Sequence, residues 1–71
     1  MRKDKVKLRG QVLEALPSLL FKVKMEDGKE LLAHLGGKMK MFRIKILPGD
    51  RVLVELTPYD EKRGIIVYRL K

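Results

Sequence analysis

The stretch HLGGKMKMFRIKILPGD, residues 34–50, decides how the rest of the chain is arranged. Segments with the pattern of β-strands lie on both sides of it, so it is an insertion between strands. No carboxylate interrupts its cations before Asp50. We call residues 38–45 the basic insertion, and we expect a small β-barrel that holds it against a polyanion. The cations of the stretch are Lys38, Lys40, Arg43 and Lys45, with titratable His34 just upstream as a fifth.

Length and charge limit the possible functions. A chain of 71 residues is expected to form one domain with a small core. It has 17 Lys and Arg against 9 Asp and Glu, a net charge of +8, and these cations are clustered. Such clustering indicates an anionic partner. Because there is no cysteine and one histidine, neither disulfides nor a structural zinc site is expected.

The apolar runs are too short to cross a bilayer, which needs about 20 residues. The first residues, MRKDKVKLRG, carry charges without an apolar core of the kind found in signal peptides. We therefore expect a cytoplasmic protein without a membrane partner, in which residues 1–5 form a mobile tail.

The first strand is predicted to bend. Apolar and polar residues alternate from residue 5 as far as Val12, after which Leu13 and Ala15 take over the apolar face. Gly10 lies just before this slip, and a glycine within a strand often marks a bulge or bend. A bent first strand that serves two sheets is what a small closed barrel needs. Pro17 then ends the strand, because it has no amide hydrogen to donate.

The next two strands, Leu20–Met25 and Glu30–Leu35, form a hairpin whose loop length follows from parity. Their inward residues all carry odd numbers, and cross-strand partners share a face. A two-residue loop would pair odd with even numbers and expose one apolar set. A three-residue loop, residues 26–28 with Gly28 left-handed, keeps both sets inside and places Lys24 opposite Glu30. The inward set is Phe21, Val23, Met25, Leu31, Ala33 and Leu35.

The same register places His34 on the outer face, together with Lys22, Lys24 and Leu32. Sharing that face with two lysines beside the basic insertion makes His34 a candidate for binding rather than for the core.

The basic insertion is predicted to begin with about one helical turn, residues 38–42. So short a helix needs anchors, and Met39 and Phe42 are expected to pack on a barrel end. Phe42 has a second interpretation, since an aromatic side chain among cations can stack on a base. Ile44 and Ile46 are expected to point inward while the neighbouring cations point outward.

Two more strands follow the Pro48-Gly49 turn. The fourth is Arg51–Thr57, residues 58–64 are a loop, and the fifth is Ile65–Leu70. Five strands with a short helix after the third predict an all-β, five-stranded Greek-key barrel of the oligonucleotide-binding (OB) type. The fourth strand is expected to bury Val52, Val54 and Leu56, and the fifth has Ile66, Tyr68 and Leu70 on one face and Ile65, Val67 and Arg69 on the other.

The inventory of reactive residues argues against an enzyme. Cysteine is absent, and the single serine and threonine, Ser18 and Thr57, each lie beside a proline in a turn. His34 has no assigned carboxylate to orient it. The segment GGK, residues 36–38, lacks the first glycine and the final hydroxyl residue of a phosphate loop. The pair DE, residues 60–61, is interpreted as a solvated turn. No catalytic residue, metal site or cofactor is predicted.

Binding is predicted on three parts of the barrel: the face of the second and third strands, the basic insertion and the loop before the last strand. There are only two tyrosines and two phenylalanines, so a structured RNA recognised by shape and backbone is favoured over stacking on single strands. The predicted RNA-binding residues are Lys22, Lys24, His34, Lys38, Lys40, Arg43, Lys45, Tyr59, Lys62, Arg63 and Arg69.

Two alternatives stay open. One is a general RNA or cold-shock-like chaperone on the same fold, although such proteins present several aromatics on the second and third strands and Phe21 is predicted to point inward. The other is a protein-interaction module that uses Ile65, Val67 and Leu32 as an apolar patch.

Taken together, these segments resemble bacterial translation initiation factor one. The resemblance covers nearly the whole chain without gaps. It rests on EALP (residues 14–17), FKV (21–23), AHLGGKM (33–39), IKILPGDRV (44–52), ELTPYD (55–60) and a GxIVYR-like segment (64–69).

This resemblance implies a non-enzymatic cytoplasmic factor that binds the small ribosomal subunit at the aminoacyl decoding site. There the family contacts ribosomal RNA and a neighbouring ribosomal protein, blocks premature tRNA entry and cooperates with the other two initiation factors. We expect a monomer. By the resemblance, Lys38, Lys40 and Lys45 match basic positions of the RNA-contacting insertion, and His34 and Tyr59 match recurrent positions.

Some residues depart from the family pattern. Lys40 and Lys45 stand where arginine is usual, so they lack its planar fork for phosphate. Ser18 replaces an asparagine, Ile65 replaces a common arginine, and Arg9 occupies a position that is often acidic or polar. The resemblance therefore carries the fold over more directly than the strength of binding.

Overall fold

The computed structural model describes residues 6–57 and 60–70, and its strands close into a barrel in the order β1-β2-β3-β5-β4. Neighbouring strands are antiparallel except β3 and β5, which run parallel. The predicted fold class is confirmed, while the predicted tail and Tyr59 lie outside the described residues. The elements are β1 (Val6–Leu16), β2 (Leu20–Met25), β3 (Glu30–Leu35), α1 (Gly37–Met41), β4 (Arg51–Thr57) and β5 (Asp60–Leu70).

Gly10, where a bulge or bend of β1 was predicted, lies between two partner strands. Gly10 pairs with Met25 of β2 and with Val52 of β4, so the strand passes here from one half of the barrel to the other. A Cβ atom at this position would lie 2.6 Å from Cγ1 of Val23. Glycine is needed because only a residue without a side chain lets β1 lie this close to the side chain of Val23 on β2.

The slip after Val12 is a β-bulge in which Leu13 is the extra residue. Leu13 is 40% exposed, so the prediction that it joins the apolar face is wrong: the bulge leaves its side chain without a cross-strand partner. Ala15 pairs with Phe21 but is exposed as well, because it lies at the end of β1, beside the loop.

The β2–β3 hairpin has the predicted three-residue loop. Lys24 pairs with Glu30, and the amide of Gly28 donates to the carbonyl oxygen of Met25 at 2.9 Å. Gly28 has a φ of 91°, which an L side chain rarely adopts. The parity argument is therefore confirmed, including the inward position of all six apolar residues.

The core fills the barrel and is closed at one end by the basic insertion. Met39 of the insertion and Ile46 just after it are buried, and the half-buried Ile44 and Leu56 pack against the cluster. The remaining buried hydrophobic residues are Val12, Phe21, Val23, Met25, Leu31, Ala33, Leu35, Val52, Val54 and Ile66.

The loop predicted over residues 58–64 is wrong for most of its length, since β5 begins at Asp60 and Thr57 pairs with Asp60. Gly64 was predicted to end this loop, but it lies within the strand. A Cβ atom there would approach Cγ1 of Val54 to 2.5 Å and Cδ2 of Leu56 to 3.0 Å. Glycine at this position leaves room for the side chains of Val54 and Leu56 on the neighbouring strand β4.

The predicted faces of the last strand are also wrong beyond Ile66. The β4–β5 register shifts between Leu53 and Val54, which makes Val67 an extra residue. Ile66 is fully buried, whereas Tyr68 is 62% exposed, so the two do not share a face. A bulge adds one residue and thereby reverses the alternation beyond it.

Candidate nucleic-acid interface

The basic insertion starts from a fixed point on β5. Gly36 donates its amide to the carbonyl oxygen of Ile66 at 2.9 Å, and α1 begins at the next residue. A Cβ atom on Gly36 would lie 3.1 Å from the same carbonyl oxygen, so glycine allows this close approach. Met39 is 2% exposed and fixes the helix to the barrel end, as predicted. Lys38 and Lys40, on either side of it in sequence, are exposed.

The end of α1 forms a Schellman motif with an arginine where glycine is usual. The amide of Ile44 donates to the carbonyl oxygen of Met39 at 3.0 Å, and the amide of Arg43 donates to that of Lys40 at 3.1 Å. Arg43 adopts a φ of 53° and is exposed. The motif sends the chain back toward the barrel, so Ile44 and not Phe42 packs on the core.

Phe42 is 65% exposed, and its predicted role as an anchor is wrong. Met41 beside it is 69% exposed. The other interpretation of Phe42, an aromatic side chain available to a base, is consistent with this exposure and stays a prediction.

Residues 45–50 lead the chain from α1 back to the barrel, and we call them the return segment. Hydrogen bonds hold this segment to β5, to β1 and within its own turn. Arg69 donates Nη1 to the carbonyl oxygen of Lys45 at 3.1 Å. The amide of Leu47 donates to Oδ2 of Asp50 at 2.9 Å, and the amide of Gly49, at a φ of 94°, donates to the carbonyl oxygen of Val12 at 2.7 Å. These contacts fix the backbone of residues 45–50 and leave Lys45 exposed.

A groove of about 430 Å³ lies between the start of the insertion and β5. Three predicted site residues meet there: His34, Lys38 and Lys40. Sequence reasoning missed the carboxylate of Glu55 in its wall. It named Ile65 and Val67 as part of an apolar patch but did not place them beside these cations. The β3–β5 and β4–β5 registers, in which Ile65 pairs with both His34 and Glu55, bring these residues together, and no local pattern indicates that pairing.

The face of β2 and β3 is less cationic than predicted. Lys22 Nζ lies 3.6 Å from Oε1 of Glu30, and the Cα partner of Lys22 on β1 is Glu14. Lys24 has Glu30 as its own partner across the hairpin. Carboxylates on neighbouring strands therefore compensate part of the charge on this face, in contrast to residues 38–45, where the sequence has none.

Lys62 and Arg63 lie on β5, not in the predicted loop. Arg63 is exposed beside its partner Leu32, and Lys62 lines a second groove with Lys22 and Glu30. Leu32 lies in that second groove, whereas Ile65 and Val67 line the first. The apolar patch considered for a protein partner is therefore divided between two cationic surroundings.

Within residues 6–57 and 60–70, no group of three or more His, Cys, Asp or Glu side chains is arranged to hold a metal ion. None of the helices in the same residues is long and apolar enough to span a membrane. What this surface offers chemically is positive charge on a fixed backbone.

A comparison with known protein families shows to which family the chain belongs. Residues 1–71 match the model of the family described as translation initiation factor 1A / IF-1. The chain belongs to this IF-1 family. Its members are non-enzymatic translation factors, so the prediction against an enzyme agrees with the family, and membership implies binding to the ribosome.

Solved structures support the assignment. The solution structure of translation initiation factor IF-1 from the Wolbachia endosymbiont strain TRS of Brugia malayi is similar to this IF-1 family member with a TM-score of 0.80. The two share 41% sequence identity over 97% of this chain and 82% of the other. The resemblance to initiation factor one is confirmed.

The barrel also matches part of a larger protein. The crystal structure of YjeQ from Thermotoga maritima matches with a TM-score of 0.74 and 33% identity over 93% of this chain. The match covers only 23% of YjeQ, so it concerns one portion of that protein.

Proposed function

We propose that this translation initiation factor binds the small ribosomal subunit at the aminoacyl decoding site, where it contacts ribosomal RNA and blocks premature tRNA entry. The observation that carries the proposal is the basic insertion itself. Its backbone is fixed by Met39 and by the Arg69–Lys45 hydrogen bond, while its cations are all exposed. A polyanion gains most from charges that are already held in place, since less side-chain and loop freedom is lost on binding.

Attraction to phosphates is the main source of affinity in this account. Lys38, Lys40, Arg43 and Lys45 are exposed within eight consecutive residues that contain no carboxylate. Lysine and arginine that neutralise phosphates release condensed counterions, so binding should weaken steeply as salt increases. His34 joins this surface through the groove that it shares with Lys38 and Lys40.

Recognition by shape and backbone is supported by the position of the aromatic residues. Phe21 is buried in the core, so the outer face of β2 lacks the stacking platform of a cold-shock-like chaperone. The proposed ligand is therefore folded ribosomal RNA on the surface of the small subunit. A neighbouring ribosomal protein and the other two initiation factors complete the proposed partners, and the factor acts in the cytoplasm as a monomer.

Co-sedimentation with purified small subunits tests the proposal. At low salt the protein should pellet with the subunit, and a tRNA directed to the aminoacyl site should compete with it. Absence from the pellet at low salt would contradict ribosome binding. Binding to an unstructured RNA as tight as binding to the subunit would instead favour a general RNA chaperone.

A further inference from the structure

A third groove, also cationic, lies where β1 passes from β2 to β4. Its volume is about 430 Å³, similar to that of the groove beside the basic insertion. It is not among the surfaces that the sequence predicted for RNA, although it includes Lys24. The groove is lined by Arg9, Gly10, Gln11, Lys24, Met25, Glu26, Arg51 and Leu70.

Strand register sets the spacing of its cations. Gln11 pairs with Lys24 of β2 on one side and with Arg51 of β4 on the other. Directly paired residues share a face, so Lys24 and Arg51 extend from the same outer surface, two strand spacings or roughly 10 Å apart. Arg9 precedes Gln11 by two residues on β1 and therefore lies on this face too.

The residue between the two cations is turned aside. Nε2 of Gln11 donates to the carbonyl oxygen of Gly49 at 3.3 Å, which directs its amide toward the turn before β4. Lys24 and Arg51 are exposed on either side. The space above Gln11, between Lys24 and Arg51, is thus left open.

Charge in the groove is strongly unbalanced. Arg9, Lys24 and Arg51 face the single carboxylate of Glu26, which gives the lining a formal charge of +2 (three cations less one carboxylate). Glu30, the partner of Lys24 on β3, does not line the groove and lies 3.6 Å from Lys22.

We propose that this groove binds the phosphate backbone of a second RNA segment, apart from the one that faces the basic insertion. The inference rests on the proposed function in that ribosomal RNA supplies the polyanion. Two of its three cations are arginines, whose planar fork fits phosphate oxygens in a bidentate manner. Exposed ion pairs with protein carboxylates contribute little to affinity, so an acidic protein surface would gain less from the same groove.

A site-directed crosslink tests the location. Because the sequence contains no cysteine, one can be introduced as Glu26→Cys in the groove, Lys40→Cys in the basic insertion or Lys29→Cys outside both, and each can carry a benzophenone. In complexes with small subunits, positions 26 and 40 should crosslink to ribosomal RNA. If position 40 reaches RNA while position 26 reaches only protein or nothing, the groove is wrong and the proposed function stands. If no variant binds the subunit, both fail.

A charge-matched pair tests the energetics. Arg9→Gln with Arg51→Gln removes two cations from the groove, whereas Lys7→Gln with Lys29→Gln removes two that do not line it. The slope of log K against log salt for subunit binding should fall by about 1.4–1.8 in the groove variant, the value for two lost phosphate contacts. The control should change less. Equal slopes in the two variants would overturn the proposal.

Discussion

Arg69, near the end of β5, donates Nη1 to the backbone carbonyl oxygen of Lys45 at 3.1 Å. This bond joins the last strand to the return segment of the basic insertion, 24 residues earlier in the chain. Arg69 was predicted to bind RNA through its charge. In the structure its guanidinium also holds the backbone of Lys45 in place. Arg69 therefore helps to position the basic insertion and also adds a positive charge beside it.

Removing this bond should loosen the insertion. Arg69→Met keeps much of the length of the side chain but loses the donor, so the free energy of unfolding should fall by about 0.5–1.5 kcal/mol in urea titrations. Hydrogen exchange at the backbone amides of residues 44–47 should accelerate. Lys40→Met, on the exposed side of α1, is the control and should stay within about 0.5 kcal/mol of the parent. Unchanged exchange in Arg69→Met would contradict the role of this bond.

Substitutions of Arg43 test the effect of its charge on binding separately from the effect of its backbone conformation on stability. Its φ of 53° is costly for a side chain with a Cβ atom and normal for glycine. We expect Arg43→Gly to be at least as stable as the parent in thermal melts and Arg43→Val to be less stable by about 1 kcal/mol or more. Both variants should bind small subunits more weakly, since both lose a cation. A destabilised Arg43→Gly would contradict the Schellman assignment.

Gly28 and Gly37 form a matched pair for the hairpin. Gly28 has a φ of 91° in the β2–β3 loop, whereas Gly37 is the first residue of α1, where an added Cβ atom would meet only open space. Gly28→Val should cost about 1–3 kcal/mol of stability because of backbone strain. Gly37→Ala should be neutral or stabilising by up to about 1 kcal/mol. A neutral Gly28→Val in thermal melts would count against the hairpin.

Gly64 distinguishes a strand from a loop. In β5 its missing side chain makes room for Val54 and Leu56, so Gly64→Ala should overpack the core and cost about 1–3 kcal/mol. In the loop predicted from the sequence, the same change would be tolerated. Calorimetry of the variant decides between the two, with Gly37→Ala again as the control.

Periodicity predicted what depends on neighbours in sequence. The odd-numbered apolar residues of β2 and β3 determined the hairpin loop, and Gly28 has the positive φ expected of it. Met39 was identified as an anchor because a short helix needs one. These conclusions rest on local parity and turn chemistry, which the sequence displays directly.

Features that arise when the barrel closes were missed. Gly64 resembles a loop residue in the sequence, and its need for glycine is evident only once β4 lies beside it. The bulge at Val67, which exposes Tyr68, follows from the β4–β5 register and not from a local pattern. Phe42 was expected to pack because a short helix needs anchors. The Schellman turn that brings Ile44 to the core instead has Arg43 where glycine is usual, so the sequence does not indicate it. Glu55 joins the groove of His34 only through the pairing of three strands.

The central claim is that the fixed cations of the basic insertion bind ribosomal RNA through its phosphates. Its most direct test is the salt dependence of small-subunit binding for Lys38→Gln with Lys40→Gln and Lys45→Gln. A control removes Lys5, Lys7 and Lys29, none of which is among the residues predicted to bind RNA. The slope of log K against log salt should fall by about 2–3 in the insertion variant, for three lost phosphate contacts, and by clearly less in the control. A slope equal to that of the parent protein would contradict the account.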